Sequence, residues 1–156
     1  MIETPIQTTM PTTSEQAEVL QATLVELIDL SLQAKQAHWN VVGPAFKPVH
    51  EFLDEMVAEY REWYDVVAER LTAVGGEPDG RSATIAGTTP LPPLPAGPID
   101  DQAALVAFDE RVTLVAAAVR ARVDRVGDID AATQDVLIEI LRGLEKQRWM
   151  LRAHRS

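Results

Sequence analysis

A 26-residue segment rich in helix-breaking residues, GGEPDGRSATIAGTTPLPPLPAGPID (residues 75–100), divides a chain that otherwise carries helical patterns. It holds six of the ten prolines and five of the eight glycines, and a connection this long is uncommon inside a compact domain without a physical reason. Helical stretches flank it in pairs. The first pair covers about 14–40, with Ser14 a plausible N-cap, and about 47–74, stopped by Gly75-Gly76. The second covers about 101–126, capped by Asp100 or Asp101 and ended by Gly127, and about 131–154, with Asp130 a candidate cap. No segment alternates convincingly enough for a strand. If the helices either side of the segment run parallel, the chain must return along the whole bundle, roughly 40 Å for a helix of this length. A proline-rich return at about 3.1 Å per residue covers that distance. Two hairpins joined by one long crossover make a four-helix bundle, whereas two loosely tethered hairpins would each have too little core. The expectation is an all-α four-helix bundle over residues 14–156 as a single domain, behind a short flexible tail at residues 1–13.

At 156 residues and 46% apolar content, the chain is long enough to bury about two thirds of its unfolded surface in one domain. No apolar run approaches a membrane span. The opening MIETPIQTTMPTTSEQ has neither the basic residue nor the hydrophobic core of a signal peptide. Cysteine is absent, which removes disulfides, thiolate metal sites and cysteine nucleophiles together and fits a reducing cytoplasm. The formal charge of -10 repels phosphate backbones and attracts cations. Basic residues gather late, at Arg142, Lys146, Arg148, Arg152 and Arg155. Most fall in the last helix, where cations complement the C-terminal dipole; a weak nucleic-acid or membrane contact is the alternative.

The second helix works as a ruler. At about 100° per residue, with His50 at zero, Asp54 falls near ~40°, Asp65 near ~60° and Glu69 near ~100°. The apolar positions Val49, Leu53, Met56, Val57, Tyr60, Tyr64, Val67, Leu71 and Val74 occupy the ~240–340° arc. Glu51, Glu55 and Glu62 lie beyond the strip, between about 100° and 140°. Core, His/carboxylate strip and acidic face follow in order. The rise then becomes decisive: fifteen residues separate His50 from Asp65, about 22 Å along the axis, whereas ligand–metal distances are about 2 Å. His50/Asp54 and Asp65/Glu69 cannot share an ion within one chain. Either they are unrelated pairs, each an ordinary solvated i, i+4 couple, or each is completed by another copy of the protein. A two-fold axis near the helix midpoint would bring the two pairs together twice per dimer. His38, across the Gly43-Pro44 turn, can join the His50 end. Two imidazoles and three carboxylates suit iron, with zinc or manganese as alternatives. The Glu-x-x-His motif of a di-iron site built inside one bundle is missing, as are His-Glu-x-x-His, phosphate-loop and dinucleotide fingerprints and any nucleophile elbow.

KQAHWNVVGPAF, HEFLDEM and DVVAERL together resemble the Dps family of ferritin-like mini-ferritins, the DNA-binding proteins from starved cells. The resemblance runs from the first helix to LEKQRW and rests on the spacing His-x11-His-x3-Asp-x10-Asp-x3-Glu. It implies a ferritin-like bundle assembled from dimers into a hollow dodecamer. It also implies that His38, His50 and Asp54 from one subunit and Asp65 and Glu69 from its mate bind iron. The implied activity is ferroxidase: Fe(II) oxidised by hydrogen peroxide, more slowly by oxygen, with ferric mineral stored inside as protection against oxidative stress. Trp39 matches a tryptophan at the site, for packing and electron donation. Glu51 and Glu55 match an acidic wall where mineral nucleates, and Asp128, Asp130 and Asp135 match residues of the iron-entry pores. For Asp130, helix capping is an equal alternative. Lys35, one turn before His38, is placed to pair with a site carboxylate when metal is absent. DNA-compacting members often carry a lysine-rich tail, which this sequence lacks. Weak or no DNA binding is therefore expected, with a nucleoid-associated, DNA-protecting role as the alternative function.

Overall fold

The computed structural model describes residues 14–155; the expected tail at residues 1–13 lies outside them. The elements in chain order are α1 (Ser14–Asn40), β1 (Val41–Val42), α2 (Phe46–Ala73), α3 (Ser82–Thr88), β2 (Ile99–Asp100), α4 (Asp101–Val126) and α5 (Ala131–Ala153). Each of the four long helices lies within a residue of its expected bounds. Ser14 is the first residue of α1 rather than the one before it. Asp100 caps α4, its carboxylate accepting from the backbone N–H groups of Gln102 and Ala103. Asp130 caps α5 in the same way, accepting from Ala132 and Thr133. Such caps satisfy the orphan donors of a helix start.

α1 packs along α2 and α4 along α5, and the two hairpins close on each other through α1–α4 and α2–α5 contacts. Long-range bonds fix the directions. The end of α2 meets the start of α5 where Arg70 reaches Asp130, and the start of α1 meets the end of α4 where Arg125 reaches Glu15 at 3.0 Å and Glu18 at 3.4 Å. α2 and α4 therefore run parallel, and the chain between them travels back along the bundle. Its route is marked by bonds to α1: Asp79 exchanges two with the Gln21 amide, and Thr89 donates to Asp29. Farther on, the carbonyls of Pro92 and Pro93 accept from Arg111 of α4 at 3.0 and 3.1 Å. Arg111 is buried, and desolvation lowers its pKa.

Two features depart from the expected pattern. The crossover contains the short helix α3, anchored by buried Ile85. A parallel two-residue ladder, Val41 to Ile99 and Val42 to Asp100, ties the α1–α2 turn to the start of α4. The core is one continuous cluster running through all four long helices, with Tyr60, Phe108, Leu27, Leu53 and Leu144 fully enclosed. On α2 it follows the expected arc from Val49 to Leu71. Phe52, outside that arc, is also buried in the core cluster, and the His154 ring stacks on it at 4.9 Å. No described helix is long and apolar enough to cross a membrane.

Candidate metal centre

Helix α1 delivers His38 in its last turn and α2 delivers His50 in its second, so the Val41–Ala45 turn sets how the two rings meet. The rings stack with centroids 3.7 Å apart and planes 18° apart. Each Nδ1 lies 2.7 Å from the other histidine's backbone oxygen. A carbonyl can only accept, so both Nδ1 atoms carry the proton. In the neutral rings this leaves both Nε2 lone pairs free for a metal, the tautomer that a carbonyl partner enforces in metal sites. The His38 carbonyl is among the orphan acceptors at the end of α1, so the same bond closes the helix. Phe46 covers the outer side of the His50 ring at 4.9 Å.

Asp54 stands one turn beyond His50, and these residues line an open depression with Glu51, Glu55 and Ala58. Lys35 forms an ion pair with Asp54. The hydrogen bond from Lys35 holds the Asp54 carboxyl below its ordinary pKa; desolvation opposes this, and the charges of Lys35 and the two nearby imidazoles add to the lowering.

Asp65 and Glu69 are exposed on the same face of α2, farther along the continuous helix. At helical rise Asp65 lies about 22 Å and Glu69 about 28 Å from His50, which leaves both outside the imidazole cluster. Among the described residues no three His, Cys, Asp or Glu side chains gather closely enough to hold a metal ion. One chain presents two stacked imidazoles with a carboxylate in the same depression and, farther along α2, a second pair of carboxylates.

A model of the ferritin-like domain matches residues 17–156. The DNA protection during starvation protein of Mycolicibacterium smegmatis is 37% identical over 141 residues, covering 90% of this chain and 77% of that one. The chain belongs to the Dps family of ferritin-like proteins. A second Dps relative, DNA protection during starvation protein 2 of Deinococcus radiodurans, is 38% identical over 136 residues; the match spans 87% of this chain but only 56% of that one. The fine tangled pili major subunit of Haemophilus ducreyi is 40% identical over 138 residues, 88% of this chain and 73% of that one. Among solved structures, Dps92 from Deinococcus radiodurans superposes with a TM-score of 0.88 at 37% identity, covering 89% of this chain and 84% of that one. Dps from Microbacterium arborescens, described in a high iron form, gives 0.84 at 34% identity, with 93% and 97% covered.

The remaining Dps-type positions fall in different settings. Glu51 and Glu55 are exposed on α2, with Glu51 paired to Lys47. Asp128 is exposed in the α4–α5 turn, and Asp135 is exposed on α5 beside Glu139 and Arg142. Asp130 is committed elsewhere: besides capping α5 it accepts from the Thr133 hydroxyl, Arg70 and Gln16. The Thr133 hydroxyl and Arg70 hold its pKa at about 2. The capping alternative for Asp130 describes its bonding in this chain. Trp39 is 67% exposed, so most of its surface is not packed within this chain.

Proposed function

We propose that this protein is a ferroxidase and iron-storage mini-ferritin. It oxidises Fe(II) with hydrogen peroxide, at sites shared between subunits, and keeps the ferric product in a hollow dodecamer built from dimers. The observation that carries this is the pinned imidazole pair beside Asp54, placed on the same helix face as a distant, unpartnered Asp65/Glu69 pair. An antiparallel mate along α2 supplies what each end lacks, by the symmetry of an isologous dimer. His38, His50 and Asp54 of one subunit and Asp65 and Glu69 of the other then bind the iron. A nitrogen and oxygen donor set accepts zinc or manganese as well. Iron is substrate here, and a relative solved in a high iron form fits that role. One peroxide takes two electrons and two protons to give two waters, so two ferrous ions match it without a one-electron step that would release hydroxyl radical. Glu51 and Glu55 supply carboxylates where ferric product first deposits, and the exposed Asp128 and Asp135 supply charge that draws Fe(II) inward. In the absence of metal, Lys35 neutralises Asp54.

Anaerobic Fe(II) loading followed by a peroxide pulse tests the assignment. Wild type is expected to consume about one peroxide per two ferrous ions, read by ferric absorbance and residual peroxide, with His50→Ala and Asp65→Ala slow. Equal rates in the variants would sink it. DNA protection by covering DNA is the weaker alternative, because -10 per chain opposes a phosphate backbone. No mobility shift is expected at or above roughly 150 mM salt; a persistent shift there would reverse that order.

A further inference from the structure

The Asp100-Asp101 doublet divides its labour between two helices. Asp100 caps its own helix, α4. Asp101, the first residue of α4, is 2% exposed and turns away toward the other hairpin. Its Oδ2 accepts the Ala45 backbone N–H at 2.6 Å. α2 needs this from outside, since Ala45 at its N-cap has no capping side chain and its first turn has no acidic residue. Asp101 also lies against Gly43, where a Cβ would stand 2.4 Å from Oδ2 and where φ is +135°. The carboxylate is therefore seated in the turn that separates His38 from His50, next to the Val41–Ile99 ladder.

Building on the ferroxidase assignment above, we infer that Asp101 is a positioning residue for the imidazole half of the site. It fixes where α2 starts relative to the end of α1. The stacked rings and their reciprocal Nδ1–carbonyl bonds depend on that offset, and it aims both Nε2 atoms into the depression. A group that orients ligands through the backbone belongs to the outer support of a metal site, where substitutions weaken binding by roughly 10- to 100-fold.

The test uses the full-length assembled protein with Co(II) as spectroscopic probe, alongside the side-chain ¹⁵N shifts of His38 and His50 without metal. Asp101→Ala is expected to weaken Co(II) binding about tenfold and to move both histidines from a single Nδ1–H tautomer to a mixture. Asp101→Asn keeps an oxygen to accept from Ala45 and should restore both readouts. Asp100→Ala removes a helix cap of the same kind while its backbone pairing with Val42 is kept and no side-chain bond to the histidine turn is lost, so Co(II) binding and tautomers should stay as in wild type. Should Asp101→Ala fail to assemble, Asp101→Glu carries the test: its extra methylene presses on Gly43 and should weaken Co(II) where Asp101→Asn does not. Wild-type binding and tautomers in Asp101→Ala (or wild-type Co(II) binding in Asp101→Glu), or equal losses in the Asp100 and Asp101 alanine variants, would overturn the inference. His50→Ala separates the two levels: if it left Co(II) binding intact, the site assignment itself would fall, whereas its loss with Asp101→Ala unaffected would remove Asp101 alone.

Discussion

At the start of α2, His50 is stacked on His38, bonded to the His38 carbonyl and backed by Phe46, while Asp54 is held by Lys35. Fifteen residues on, Asp65 and Glu69 repeat the i, i+4 spacing but are exposed. The start of α2 is assembled within the single chain, and its later stretch is solvated carboxylate with Arg61 close by in sequence. The contrast teaches a division of cost. Imidazoles must be desolvated, set in one tautomer and aimed, which the fold does in advance. Carboxylates accept metals from many directions and can stay hydrated until a second subunit arrives, which spares the lone chain two buried unpaired charges.

The largest test of this contrast mixes two inactive variants. If the ends complete each other across subunits, co-assembling His50→Ala with Asp65→Ala chains rebuilds one intact site in every mixed dimer. Random pairing should then recover about a quarter of wild-type sites, read as peroxide-driven Fe(II) oxidation from parents expected to be nearly inactive. No recovery in assemblies shown by mass spectrometry to be mixed would break the comparison. Denaturation of the apo protein provides a second test. His50→Ala gives up a hydrogen bond and a stacked ring and should cost about 1–2 kcal/mol. Asp65→Ala removes an exposed, unpaired carboxylate and should stay within about 0.5 kcal/mol. Equal losses would mean that both ends are structural.

The smallest effect concerns Lys35. Its hydrogen bond depresses the Asp54 pKa, so Asp54 stays ionised to lower pH than a free aspartate. Any stability from the pair is present above the unfolded-state pKa and is lost as pH falls through the lowered folded value. Lys35→Ala should return the Asp54 carboxyl toward its ordinary value, seen by carboxyl ¹³C titration. At neutral pH it should tighten Co(II) binding only a fewfold, because a half-exposed ion pair contributes about 0–1 kcal/mol. A large loss of affinity would instead make Lys35 part of the support.

The long helices and the parallel α2/α4 arrangement were legible because apolar period, caps and the length of the crossover agree with one another. The His/carboxylate strip was legible because a regular helix converts spacing into angle and rise. What the sequence hid depends on partners from far along the chain. α3, seven residues including Gly87, has weak local propensity; Asp79 organises its start by accepting from Arg81 and Thr84, and Ile85 docks it. Phe52 falls at ~200°, between the apolar arc and the acidic face, and its burial shows only with the end of α5 in place, where His154 stacks on it. Asp101 is indistinguishable from an ordinary first-turn acid until its bond to Ala45 is seen.

That bond spans 56 residues, and this distance sets an order of events. A chain emerging from synthesis completes α1 and α2 long before Asp101 is made, so the histidine turn forms first without its anchor. The expected result is a safeguard in time: a nascent hairpin holds its imidazoles loosely, and firm metal capture waits until the second hairpin docks.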